Sequence, residues 1–161
     1  MGLTTAQLQA LKADIAADGV LNQLPQNSDG AFEVATAYNM LASPDFTVWK
    51  SKVTLAEVGA NLDSSEVESL TTAENARMQT FSMYNPDGLM PSRPDHRAFF
   101  AGVFSGAGGA NTSAALLILW KRLATRSEKL FATGTGSDAS PATLTVEGNI
   151  SYQTVLAAWA S

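Results

Sequence analysis

The residues best able to carry chemistry are a single histidine and a group of carboxylates. His96 follows Asp95 at the predicted start of a helix, where both are expected as a polar first turn. Asp63, Glu66 and Glu68 lie among serines and threonines at other predicted helix starts, where acidic residues are ordinary. Two catalytic carboxylates need environments that separate their pKa values, and this pattern offers none. The chain has no cysteine, which excludes disulfides, thiolate zinc sites and cysteine nucleophiles. From these patterns together, no catalytic residue, metal ligand or cofactor is expected.

A glycine-rich run, Gly106-Ala107-Gly108-Gly109, precedes a predicted helix in the manner of a phosphate-binding loop. Such loops follow a strand and end in Gly-Lys-Ser or Gly-Lys-Thr, because the lysine and the hydroxyl hold the phosphates and their magnesium ion. This run follows a predicted helix and lacks the lysine. It is therefore expected to be a turn between two helices.

Four basic residues form the strongest electrostatic feature, here named the basic cluster: Lys121, Arg122, Arg126 and Lys129. We expect one long apolar helix over residues 111–131, on which spacings of three and four place the last three of them on one face. That face suits contact with phosphates, with a neighbouring subunit or with the acidic part of the chain. Four charges give only a weak counterion-release contribution, and no known nucleic-acid recognition motif accompanies them.

The composition sets limits on the class of protein. A chain of 161 residues, 45% of them hydrophobic, is long enough for one domain or for one domain plus an arm. Charged residues make up 16%, below the roughly 25% typical of soluble domains. This indicates either a surface partly covered by partners or an alanine-rich helical protein with a bland surface. No signal peptide is expected from residues 1–5, and no apolar run approaches the about 18 residues of a membrane span.

The net charge of −5 is unevenly distributed along the chain. Residues 1–76 carry a net −7, residues 77–131 a net +4, and the remaining residues a net −2. An asymmetry of this kind suits head-to-tail association of copies or contact of one face with nucleic acid. The alternative is that the two halves neutralise each other within one fold.

The elements that position these residues are predicted to be mostly short helices. The chain is therefore expected to be mainly α, a multi-helix bundle with a minor β element. In a capping box, a threonine and a Gln or Glu three positions later each accept the other's backbone N–H. Three such boxes start helices, at Thr4, Thr54 and Thr71. On the second helix Phe32 and Tyr38 are expected to face the core, and residues 46–53 are expected to be partly extended.

The tail is predicted to leave a helical domain of residues 1–132 as a hinge and C-terminal arm over residues 133–161. Small residues between 132 and 142 predict flexibility, and a strand-like piece at 144–146 and a helix at 151–159 follow. Such an arm is dispensable for folding and docks on a partner through six side chains: Leu144, Val146, Tyr152, Val155, Leu156 and Trp159. The alternative is that the last helix folds back on its own domain.

Two stretches of the chain are similar to known sequences. They are ASPDFTVW at residues 42–49, shortly after Tyr38-Asn39, and KRLATRSEKLFATGTG at residues 121–136, which continues through residues 140–148. They resemble small proteins of tailed bacteriophages and prophages that are encoded among the virion structural genes. The resemblance spans most of the chain.

The resemblance implies a non-enzymatic structural protein of the virion, made in the cytoplasm of the bacterial host. The length and the string of short helices are also similar to head–tail connector proteins, helical adaptors that form a ring beneath the portal and grip it with terminal arms. By that analogy the chain is expected to form a cyclic homo-oligomer in the neck of the particle, in contact with portal and tail proteins. The basic cluster then faces packaged DNA in non-specific contact, and no membrane is involved.

Two further classes of function stay open. One is a different virion part, such as a minor capsid protein or a tail-completion protein. The other is a small DNA-binding or regulatory factor that uses the basic cluster. A wall-degrading virion hydrolase is disfavoured, because the sequence shows no acid–base pair.

Overall fold

The structure, a computed structural model, describes residues 2–105 and 107–161 and confirms a mainly α chain with minor β elements. Met1, in the segment expected to carry no signal peptide, and Gly106, in the glycine-rich turn, lie outside the described residues. Within the described part the helices are α1 (Thr5–Ala17), α2 (Ser28–Asn39), α3 (Leu55–Ala60), α4 (Ser64–Glu68), α5 (Thr72–Tyr84), α6 (Pro94–Val103), α7 (Ala110–Leu119), α8 (Arg126–Phe131) and α9 (Tyr152–Ala160). The short strands are β1 (Thr47–Trp49), β2 (Lys121–Leu123), β3 (Ala132–Thr133) and β4 (Thr143–Leu144), and 3-10 turns lie at Leu21–Gln23 and Ala107–Gly109.

The predicted capping boxes are present at the starts of α1, α3 and α5. At α3, for example, the Thr54 hydroxyl accepts from the Glu57 N–H (3.2 Å), and the Glu57 carboxylate accepts from the Thr54 N–H (2.8 Å). An N-cap of this kind stabilises a helix by about 1 kcal/mol. These short helices therefore begin where the local sequence dictates.

The single long helix expected over residues 111–131 is wrong. α7 ends at Leu119, the chain runs extended through β2, and α8 starts afresh at Arg126. The reason is a fourth capping box, in which the Thr125 hydroxyl accepts from the Glu128 N–H (3.3 Å) and the Glu128 carboxylate accepts from the Thr125 N–H (3.0 Å). A Thr with a Glu three residues later signals a helix start, and here it prevails over the apolar periodicity that runs through it.

The chain divides into two compact units, and the division differs from the one predicted at residue 132. The first unit comprises the described residues of Met1–Val48 together with Leu123–Ser161. The second unit comprises Trp49–Arg122. The segment 133–161, expected to be an arm, therefore belongs to the same unit as the N-terminal helices.

The core of the first unit is shared by α1, α2 and α9. Leu11 on α1 and Val155 on α9 have no exposed surface in it. α2 buries Gly30 and four apolar side chains at the spacings of three and four that an amphipathic helix uses: Ala31, Val34, Ala35 and Tyr38. The prediction for Tyr38 is confirmed, but the prediction that Phe32 faces the core is wrong. Phe32 lies beside this stripe, and its side chain is 65% exposed.

The predicted hinge is a fixed turn. β3 pairs antiparallel with β4, with Ala132 opposite Leu144, and the segment between them contains Gly136 at φ +67°. The Gly136 carbonyl accepts from the Thr47 N–H (2.7 Å), and a Cβ at this position would overlap the Phe46 ring. The small residues therefore allow a close approach between chain segments, and only glycine fits at the centre of it. The other two-stranded sheet pairs β1 with β2, which confirms the extended piece predicted there.

The core of the second unit is built around the aromatic residues of α5 and α6. The Phe81 ring stacks on Phe99 with centroids 4.5 Å apart and meets Phe100 edge-on. Phe100 and Leu89 are almost completely buried. Leu89 and Val53 exchange both of their backbone hydrogen bonds at 2.8 Å, which ties the chain before α3 to the chain before α6.

Candidate functional site

The basic cluster does not form one helical face. Lys121 and Arg122 belong to β2, whereas Arg126 and Lys129 lie on α8. Because extended residues interrupt the helix, the spacing of four no longer aligns Arg122 with Arg126, and only Arg126 and Lys129 keep a helical spacing. The prediction that the basic cluster contacts DNA was based on a single basic helical face, and that face is not present.

Arg126 is held inside the first unit by two carboxylates and a phenol. Its guanidinium bonds the Asp18 carboxylate at 2.7 Å and the Asp14 carboxylate at 3.0 Å, and it lies 4.3 Å from the centroid of the Tyr38 ring. The Tyr38 hydroxyl donates to Asp14 and accepts from Arg126 at 3.3 Å. The basic cluster was expected to contact phosphates, a neighbouring subunit or the acidic part of the chain. Arg126 does the last of these, because it forms ion pairs with Asp14 and Asp18.

This network shifts the pKa values of its members. The pKa of Asp18 falls to about 2, because the Leu21 N–H and the Arg126 guanidinium donate to its carboxylate. Burial raises the pKa of Tyr38, and its hydrogen bond to Asp14 raises that pKa further. Burial lowers the pKa of Arg126, but its bonds to Asp18 and Asp14 outweigh burial and raise it overall. Arg126 and Asp18 are therefore both charged at neutral pH, and together with Tyr38 they tie α8 to the N-terminal helices.

Lys129 also contacts an aromatic ring of its own unit. Its Nζ lies 5.7 Å from the centroid of the Phe46 ring. A cation within about 6 Å of a ring centroid is attracted by the negative face of the ring, an interaction of about 0.5–1 kcal/mol at partly exposed sites. The two basic residues of α8 therefore both contribute to the packing of the first unit.

The tail helix folds back on its own unit, the alternative to a docking arm. Four of the six predicted docking residues are buried in the core of the first unit or pack against it: Val146, Val155, Leu156 and Trp159. Leu144, in β4, is half-buried against a small cluster that includes Val48 and Ala142. Tyr152 is the most exposed of the six, at 39%. The apolar face of α9, which was expected to dock on a partner, packs in the core of its own unit.

Polar contacts fasten the tail at two further points. The Lys12 ammonium donates to the backbone carbonyl of Trp159 (3.1 Å), one of the last carbonyls of α9. Cations near the C-terminal end of a helix also complement its dipole. The buried Glu128 carboxylate accepts from the Gly148 N–H (2.9 Å), ahead of α9. The tail is therefore held by hydrogen bonds as well as by apolar packing.

His96 is a buried structural residue of the second unit. Its Nδ1 accepts from the Met90 N–H (3.1 Å), and its ring meets the Phe81 ring edge-on at 5.2 Å. Burial lowers its pKa below the ordinary value, and the nearby Arg93 charge lowers it further. A neutral imidazole that accepts from a backbone N–H fixes the turn before α6.

The carboxylates of Asp63 and Glu66 are occupied by the start of α7. Glu66 accepts from the N–H groups of Asn111 (2.9 Å) and Thr112 (2.8 Å), and Asp63 accepts from the Asn111 side-chain amide (3.0 Å). The first N–H groups of a helix have no partner within it, and a carboxylate there is favoured by the helix dipole. Burial raises the pKa of Glu66, but these hydrogen bonds outweigh burial and lower it. The acidic group therefore caps a helix.

The described residues contain no group of three His, Asp or Glu side chains placed to hold a metal ion. Within residues 2–105 and 107–161, none of the helices has both the length and the apolar character that crossing a membrane requires.

Large apolar side chains exposed to water are the functional candidates that the sequence patterns miss. In the second unit, Leu117 and Ile118 near the end of α7 are 45% and 76% exposed, and we name them the second-unit apolar group. In the first unit, Phe32 on α2 and the following Met40 and Leu41 are more than half exposed and form the first-unit apolar group. The signal for the α7 pair is a helix that is apolar all round, because one such helix cannot bury every face in a small unit.

Comparison with known proteins gives no match: no family model, no curated protein and no solved structure matches this chain.

Proposed function

We propose that this chain is a non-enzymatic structural protein of a tailed-phage virion, a neck adaptor that joins head to tail as a ring of identical copies. The observation that carries the proposal is the presence of an exposed apolar group in each unit. Large exposed apolar side chains are suited to anchor an interaction surface when a partner covers them. The virion setting is supported by the resemblance of residues 42–49 and 121–136 to phage structural proteins.

The apolar groups act as anchors of a larger contact. Removing apolar surface from water contributes roughly 25 cal/mol per Å². A stable interface covers about 800 Å² on each partner, and a few large side chains near its centre carry most of the binding energy. Phe32 and Ile118, at 65% and 76% exposed, are the largest available anchors of their respective groups.

The charges of the two units are compatible with a head-to-tail contact and disfavour a contact between two first units. The first unit carries eight acidic and three basic residues, whereas the second carries seven of each. Two first units placed against each other would juxtapose like charges, which disfavours that contact. A first unit placed against a neighbour's second unit avoids this repulsion. A contact between two different surfaces closes into a ring when its rotation allows closure.

In this proposal the copies meet through preformed surfaces. An arm that orders on assembly is not needed, because α9 already lies in the core of its own unit. The portal and the tail then bind the faces of the finished ring. The copy number and position of the chain in purified particles distinguish a neck adaptor from a minor capsid or tail-completion protein.

A mixing experiment tests the head-to-tail contact. Phe32→Asp and Ile118→Asp each damage one of the two surfaces, so each variant alone is expected to be monomeric by light scattering. An equimolar mixture is expected to form a heterodimer, because one undamaged pair of surfaces remains, while the two aspartates repel at the other. Val20→Asp is the matched control, since Val20 is 75% exposed but belongs to neither apolar group.

Three results contradict the contact. If both single variants keep the wild-type mass, these apolar groups are not at the interface. If only one of the two variants is monomeric, the contact is made between two copies of the same surface; if both are monomeric and their mixture stays monomeric, the two surfaces do not bind each other.

A further inference from the structure

The second unit contains a cavity between α6 and α7. Its volume is about 250 Å³, and its walls are mainly apolar, formed in large part by Trp49, Phe100, Leu116 and Leu117. An engineered apolar cavity of about 150 Å³ is enough to bind benzene. The cavity of this unit therefore has room for one aromatic ring, or a short alkyl chain, and a small polar end.

One cationic side chain, that of Arg97, lines this cavity. The Arg97 guanidinium lies 4.3 Å from the centroid of the Trp49 ring and donates to the Pro91 carbonyl. An arginine has five N–H donors in a planar fork, so most of them are left over here. The Arg97 side chain is half-buried, and this burial lowers its pKa below the ordinary value.

Arg97 has no carboxylate partner in the described part of the chain, whereas Arg93 has one. Arg93, four residues earlier, pairs with the Asp95 carboxylate at 2.5 Å. Among the residues that the structure describes, no Asp or Glu pairs with Arg97. A partly desolvated cation is stabilised by a carboxylate, and the fork geometry of arginine fits both carboxylate oxygens at once.

Trp120, another residue of the wall, carries a buried donor that also lacks an acceptor within residues 2–105 and 107–161. Trp120 lines the cavity, its side chain is buried, and its indole Nε1 has no hydrogen-bond acceptor among the described residues. Buried donors without an acceptor are rare and destabilising. The cavity therefore combines an apolar body with one cation that has N–H donors left over, which is the complement of an apolar molecule that ends in a carboxylate.

We propose that this cavity binds a small organic carboxylate, with its aromatic ring or short alkyl chain between α6 and α7 and its carboxylate on Arg97. The cavity shares one wall residue, Leu117, with the second-unit apolar group. Binding is read from the tryptophans of the cavity and not from the mass of the oligomer, so this proposal and the proposed assembly fail in separate measurements.

Indole N–H resonances in proton–nitrogen NMR spectra give a direct test on the full chain. The chain has three tryptophans: Trp49 and Trp120 line the cavity, while Trp159 lies in the first unit and serves as an internal reference. Titration with 3-phenylpropionate is expected to shift the Trp49 and Trp120 signals saturably and to leave Trp159 in place. 3-Phenylpropan-1-ol has the same apolar body without the charge, and its affinity is expected to be lower by about tenfold or more.

Variants separate the charge from the cavity. Arg97→Gln is expected to weaken binding of 3-phenylpropionate about tenfold or more and to leave binding of the alcohol unchanged. Arg93→Gln is the matched control and is expected to change neither. If Arg97→Gln does not fold, Ala101→Phe keeps the cation but fills the cavity, and it is expected to abolish binding of both compounds.

Four results overturn the proposal. They are the absence of a saturable shift, equal affinity for the acid and the alcohol, unchanged carboxylate affinity in folded Arg97→Gln, and unchanged binding in Ala101→Phe.

Discussion

Asn39 and Ile150, which lie 111 residues apart, are joined by two hydrogen bonds of 2.9 Å each: the Asn39 amide donates to the Ile150 carbonyl and accepts from the Ile150 N–H. One side chain at the end of α2 thus satisfies both backbone groups of a buried residue just before α9. A side-chain amide that pairs with a backbone in this way replaces a rung of a sheet. The tail is therefore fixed to the first unit by a specific contact as well as by its apolar face.

Asn39→Ala is expected to destabilise the first unit by roughly 2 kcal/mol, because it leaves the N–H and carbonyl of buried Ile150 without partners. Urea unfolding monitored by circular dichroism measures the change in the free energy of unfolding. Asn22→Ala is the control, since the Asn22 amide is exposed and makes a long bond of 3.4 Å to the Ala16 carbonyl. Equal stability of the two variants would show that the contact contributes nothing.

Removing the chain after Thr133 is expected to unfold the first unit, since it deletes β4, α9 and the core residues that they carry. Circular dichroism should lose more helix than the nine residues of α9 contribute. A point substitution gives a milder version: Val155→Ala in the core is expected to cost about 2 kcal/mol, and Gln153→Ala on the exposed side of α9 close to nothing. If the truncated chain keeps its near-ultraviolet circular dichroism signal, the first unit folds without residues 134–161, and that segment is a dispensable arm.

Gly136→Ala is expected to destabilise the first unit by roughly 3 kcal/mol, because the residue has φ +67° and its Cβ would overlap the Phe46 ring. Gly148→Ala is the matched control. Gly148 also has a positive φ, of +93°, but its Cβ would meet nothing within 4 Å, so a cost of only about 1 kcal/mol is expected. Thermal unfolding measures the loss of stability in each variant. If residues 132–142 form a flexible hinge, Gly136→Ala will cost no more than Gly148→Ala.

The stability that Asp18 contributes is expected to depend on acid pH. Its pKa is about 2 in the folded chain against an ordinary 3.8, because the Leu21 N–H and Arg126 donate to its carboxylate. A lowered folded pKa means that this stabilisation is complete above about pH 4 and is lost as the pH falls towards 2. The stability gap between wild type and Asp18→Asn should therefore shrink across that window in urea unfolding at fixed ionic strength. A gap that stays constant down to pH 2 contradicts the pairing.

Local signals in the sequence predict the helical class and most helix starts, because a capping box acts within four residues. The same rule also predicts the start of α8, since Thr125 and Glu128 form a capping box inside the run whose apolar periodicity predicts one helix. The inward face of α2 is harder to predict, because Phe32 differs from the buried Ala31 by a single position on the helix. Size and apolarity alone do not decide which of two neighbours faces the core.

The contacts of the candidate site were beyond prediction, because they join residues that are distant in sequence. Arg126 bonds Asp14 across 112 residues, so no spacing rule connects the two. For the same reason the apolar face of α9 could not be assigned to its own unit or to a partner. The composition nevertheless contains a sign of exposed apolar surface, since a chain with 16% charged residues has few polar side chains with which to cover it.

The mass of the purified wild-type chain in solution tests the central claim, self-assembly through two different surfaces, most directly. Sedimentation velocity over a wide range of concentrations is expected to show one closed oligomer, whose mass is a fixed multiple of 16.9 kDa and does not grow with concentration. A 16.9 kDa monomer at every concentration would contradict the claim.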